Sequence, residues 1–81
     1  MYSTDIFFPN LDAVKHFVNM TTKYDKLPIS LVSGIYNIDA HSIIGIISLD
    51  ISKPITLSVN ADQIPDSFYT DIEPYVYKKV N

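Results

Sequence analysis

The chain has no cysteine, no arginine and only two glycines, Gly34 and Gly45. Without cysteine there is no disulfide staple, so stability has to come from packing. Without arginine the chain lacks the planar fork that grips phosphate, carboxylate or guanine through two hydrogen bonds. A nucleic-acid-binding role is disfavoured on that ground and by a net charge of −3. Two isolated glycines cannot build a glycine-rich phosphate loop. His16 and His41 stand far apart among scattered carboxylates, which is no ligand cluster for a metal. No apolar stretch approaches the ~20 residues of a membrane span. The start, Met1-Tyr2-Ser3-Thr4-Asp5, lacks the basic region of a secretory signal, so the expected location is the cytoplasm.

What the chain does have is apolar content: 47% of its 81 residues are hydrophobic and 19% charged. That length fits one domain, 1–81, and at this size folding buries only about 60–65% of the unfolded surface, so the core must be dense.

Periodicity divides the chain. Thr4–Phe8 reads as a strand stopped by Pro9, which has no N–H for a ladder. Asn10 is a suitable helix N-cap, with Asp12 in the first turn where negative charge suits the dipole. Leu11, Val14, Phe17, Val18 and Thr21 then recur at helical spacing, predicting a helix over Leu11–Tyr24 with His16, Asp12 and Asn19 on the outer face. Ile29–Val32 and Ile35–Ile38 flank Ser33-Gly34, a hairpin signal. Ile55–Val59 alternates apolar and polar residues as a half-buried strand does. A last helix starts near Ile64-Pro65-Asp66, with proline at the first helical position and Phe68, Ile72, Tyr75 and Val76 inward. Pro74 predicts a kink or break in it.

The uncharged run His41–Leu49 is ambiguous by itself. Its β-branched residues favour a strand. Ser42 as N-cap, Gly45 in the interior, and Ile43, Ile44 and Ile47 at i, i+1, i+4 spacing favour a short helix. These isoleucines are either buried core or a surface patch for a partner.

Taken with that helix, the order is β-α-β-β-α-β-α. With Lys23-Tyr24-Asp25 closing the first helix, Ser33-Gly34 in the hairpin and Ser42-Ile43-Ile44-Gly45-Ile46-Ile47-Ser48-Leu49 after it, the chain resembles HPr, the phosphocarrier of the bacterial phosphoenolpyruvate:sugar phosphotransferase system (PTS). The resemblance covers roughly Phe8 to Ala61. It implies an α+β, HPr-like open-faced β-sandwich: a four-stranded antiparallel sheet with three helices on one face.

In that family a histidine followed by Ala-Arg-Pro opens the first helix and carries the phosphoryl group. Here Asn10 occupies the phosphohistidine position and Asp12 the arginine position. A carboxamide nitrogen is not a nucleophile near pH 7, and Asp12 repels an incoming phosphoryl group. The resemblance also matches Ser42 to a serine phosphorylated by a dedicated kinase. It matches Ile43, Ile44 and Ile47 to the apolar surface that docks partners, beside Leu11 and His41. His41 is otherwise a turn residue, and Ser42 otherwise a cap.

The expected function is therefore an HPr-like protein without phosphocarrier activity or cofactor. It would regulate through protein partners: an HPr-type kinase, a transcriptional regulator or PTS components. The alternative is a working phosphocarrier in PTS sugar transport with a non-standard acceptor. A small α/β-sandwich enzyme of the acylphosphatase kind is disfavoured, because that mechanism uses an arginine.

Overall fold

In the computed structural model, which describes residues 1–78, the elements are β1 (Tyr2–Ile6), α1 (Leu11–Thr21), β2 (Ile29–Ser33), β3 (Tyr36–Asp39), α2 (Ile43–Ile47), β4 (Ile55–Val59) and α3 (Asp66–Ile72). Single 3₁₀ turns at Thr22–Tyr24 and Glu73–Tyr75 extend α1 and α3. The end of the expected 1–81 domain, 79–81, lies outside the described residues.

The four strands form one antiparallel sheet in the order β1-β4-β2-β3. Register explains its two faces. Thr4, Leu57, Leu31 and Ile38 stand side by side across it, as do Ser3, Ser58, Ser30 and Asp39 one step along. Because side chains alternate, the first row faces the helices and the second faces outward. Ile6, Ile29, Leu31, Ile55, Leu57 and Val59 are buried in one core with Val14 and Phe17 of α1, Ile46 of α2, and Phe68 and Ile72 of α3. The outward positions Ser3, Asp5 and Thr56 are exposed and polar. This is the α+β open-faced sandwich that the element order implies, with His16 on the exposed side of α1.

Three boundaries differ from the sequence reading, and the expected break at Pro74 takes place. The first strand spans Tyr2–Ile6, not Thr4–Phe8, because its ladder with β4 ends at the pair Ile6–Ile55. The next residue, Phe7, points its N–H away from β4, so Pro54 opposite it breaks no ladder bond there. Phe7 instead donates to the Tyr75 carbonyl (2.8 Å), while Phe8 packs edge-on against Phe17 (5.2 Å between ring centroids). The hairpin loop is Gly34-Ile35, one residue later than predicted, since Ser33 pairs with Tyr36. Gly34 has φ +60°, which a type II′ turn requires at its first central position and glycine supplies without strain. Pro65 is the N-cap of α3 rather than its first helical residue, and its carbonyl accepts from Phe68 (3.0 Å). Pro74 breaks the helix outright: α3 ends at Ile72, and a 3₁₀ turn holds Pro74 where a missing N–H is harmless. Val76 then bridges to Ile6 on the outer edge of β1.

Candidate functional site

Two helix starts carry the residues singled out in the sequence. At α1, Asn10 has extended backbone (φ −161°, ψ 178°) and its Oδ1 accepts from the Ala13 amide at 2.9 Å. The carboxamide is thus committed to capping. Leu11 follows in the first turn, 55% exposed, so it leaves the inner stripe to which its spacing assigned it. Asp12 is exposed beside it and places a carboxylate where the helix dipole attracts an anion. An incoming phosphoryl group would meet that charge first.

The ambiguous run is a helix. Ser42 caps α2 (φ −103°, ψ 106°), its Oγ accepting from the Gly45 amide at 3.2 Å and its carbonyl from the Ile46 amide at 3.1 Å. Its own N–H donates to the Asp39 carbonyl at 3.0 Å, tying the cap to the end of β3. Of the two readings left open for these isoleucines, the surface one holds for Ile44 and Ile47. Ile46 is fully buried and Leu49 nearly so, whereas Ile44 is 75% and Ile47 49% exposed, with Ile43 at the margin. Gly45 lies over β3, where a Cβ would make an ordinary 3.5 Å contact with Ile38 Cδ1 and a tighter one, 3.3 Å, with Ser42 Oγ. The inner line is Ile46 and Leu49 at i, i+3 spacing, which leaves Ile43, Ile44 and Ile47 outside. The i, i+3 pairing of Ile46 with Leu49 is the signal that the sequence reading passed over.

His41 is half-buried. Its N–H donates to Asp39 Oδ1 (2.9 Å), and its Nε2 lies 3.3 Å from the Leu27 carbonyl, to which it donates when protonated. To touch a group on Ser42 the ring would have to leave that carbonyl. His41 also lines a groove of about 450 Å³ with Leu27, Ser30 and Asn37. A larger hollow, about 710 Å³ between Tyr69, Glu73, Pro74 and Lys78, shares no residue with the two helix starts.

α1 and α2 pack against each other, so Leu11, Ile43, Ile44 and Ile47 are carried on neighbouring helices. Among the described residues no three His, Cys, Asp or Glu side chains gather as a metal site. No helix among them is long and apolar enough to cross a membrane. Comparison with family models, with curated proteins and with solved structures finds no match in any of the three.

Proposed function

We propose that the chain is an HPr-like protein of a bacterial phosphotransferase system that works by docking to other proteins in the cytoplasm and carries no phosphoryl group on α1. One observation bears most of this reading. α2 turns Ile43, Ile44 and Ile47 outward beside its cap Ser42, although burying them would aid stability. The sheet order β1-β4-β2-β3 under three helices is consistent with the HPr-like sandwich. Asn10 as a cap and Asp12 beside it argue against phosphotransfer. In this reading Leu11, Ile43, Ile44 and Ile47 dock the partner. Ser42 receives the γ-phosphoryl group of ATP from an HPr-type kinase, changing the charge beside the patch and so which transcriptional regulator or PTS component binds.

Two incubations test it. With phosphoenolpyruvate, the upstream phosphotransferase enzyme and labelled phosphate, the unmodified chain should take up no acid-labile label, whereas Asn10→His with Asp12→Arg should recover measurable transfer. With an HPr-type kinase and labelled ATP, label should enter the chain and vanish in Ser42→Ala. Robust transfer to the unmodified chain from phosphoenolpyruvate would instead establish the phosphocarrier alternative.

A further inference from the structure

The two edges of the sheet are treated differently. The outer edge of β1 is covered by the chain itself, through Phe7 N–H to the Tyr75 carbonyl and Tyr77 N–H to the Asp5 carbonyl, both 2.8 Å. On the outer edge of β3 no such cover exists among the described residues. Hydrogen-bond parity identifies which groups it presents. Ala40 N–H donates to the Ile29 carbonyl (3.0 Å), so Ala40, Ile38 and Tyr36 face β2, while Asn37 and Asp39 point their backbone groups away from it. The Asp39 carbonyl already accepts from Ser42, which leaves Asn37 with both N–H and C=O unengaged.

We propose that β3 pairs antiparallel with β3 of a second copy of the chain, about a two-fold axis at Asn37. Only outward-pointing residues can exchange ladder hydrogen bonds, so few registers exist. An axis at Asp39 sets two carboxylates against each other, which is unfavourable. An axis at Ile38 pairs Asn37 with Asp39, whose carbonyl is taken. With the axis at Asn37, the two Asn37 residues exchange both bonds and Tyr36 of each copy meets Ile38 of the other on the helix side. Asp39 then faces Ile35 rather than another charge, and with its carbonyl taken by Ser42 the shared ladder rests on the two Asn37 bonds. The edge carries no lysine, proline or bulge of the kind that blocks such pairing. Ile35 and Tyr36 are 92% and 61% exposed, unexplained by the α2 surface. The contact is self-complementary, as a two-fold interface must be. A pairing this short is far below the roughly 800 Å² per partner of a stable dimer, so the association is weak and reversible.

The absence of cysteine gives a direct test. Asn37→Cys introduces a single thiol on the axis, where Cα atoms of a hydrogen-bonded pair stand about 5.5 Å apart, within disulfide range. It should form a covalent dimer at roughly tenfold lower protein concentration than the exposed-loop control Asp62→Cys. In sedimentation the unmodified chain should show concentration-dependent dimers, and Asn37→Lys should weaken them roughly tenfold without lowering the melting temperature. A chain that stays monomeric to about 1 mM, or equal cross-linking of the two cysteine variants, overturns the proposal. So do dimers that resist Asn37→Lys and dissociate with Ile44→Asp, because they assign the contact to α2.

Discussion

A single hydroxyl holds the start of α2. Ser42 Oγ accepts from the Gly45 amide, one of the first-turn N–H groups with no partner inside the helix. Five residues are too few for this helix to persist on propensity, and β-branched isoleucines lower it further, so cap and packing must supply the difference. Ser42→Ala should therefore lower stability by about 1 kcal/mol, whereas Ser42→Asp, itself a good cap, should stay within about 0.5 kcal/mol of the parent. Thermal unfolding of the three proteins checks both values. An alanine variant as stable as the parent would show that β3 and α1 hold α2 without the cap. Gly45 works at the same scale in the opposite sense, through what it lacks. An added Cβ would come 3.3 Å from Ser42 Oγ, so the missing side chain leaves room for the cap.

Between elements, a cluster of polar side chains ties the turn after α1 to α3. The Tyr24 hydroxyl donates to Asp71 Oδ2 (2.5 Å) and lies 3.0 Å from Ser67 Oγ, while Lys23 Nζ stands 2.9 Å from the same carboxylate. The Tyr24 ring meets Phe68 edge-on at 5.3 Å, so the polar contact rides on an aromatic one. The Tyr24 hydrogen bond, and then Lys23, hold the Asp71 carboxyl below its ordinary value. A carboxyl whose pKa falls on folding stabilises the fold above its unfolded value and loses that contribution as pH drops through the folded one. Asp71→Ala should thus lower the melting temperature at pH 7, and its deficit should shrink below about pH 4. A deficit that is constant into strong acid would mean that the contact matters for shape rather than charge. No pattern in the sequence announces this clamp, because its partners are distant in the chain. The same holds for the end of β1, where Phe7 gives its N–H to the Tyr75 carbonyl far along the chain. What local chemistry controls was readable: the alternation of Ile55–Val59, the stripe Val14/Phe17/Thr21, the Asn10 and Ser42 caps and the break at Pro74. The α2 isoleucines were legible as core or surface patch, and the burial of Ile46 and Leu49 decides for the surface at Ile44 and Ile47.

Across the whole molecule, apolar residues are divided between holding the fold and facing outward. Leu57 lies in the middle of β4, flanked by Thr4 and Leu31, and is fully buried beneath the helices. Truncating a buried leucine forfeits transfer free energy and leaves a cavity, about 2–5 kcal/mol in all. A domain with 5–15 kcal/mol of total stability cannot absorb that lightly. Ile44, nearly as large, is three-quarters exposed, and its truncation uncovers no cavity. Leu57→Ala should accordingly lower the denaturation midpoint sharply, while Ile44→Ala should remain within about 0.5 kcal/mol of the parent. The pair also calibrates any binding assay. Partner affinity lost in Ile44→Ala at unchanged stability is a direct contact, because the fold presenting it is intact. Affinity lost only in Leu57→Ala reports unfolding. If Ile44→Ala proves as destabilising as Leu57→Ala in urea titrations, then α2 packs more deeply than its exposure implies, and the outward-facing patch on which the docking reading rests does not exist.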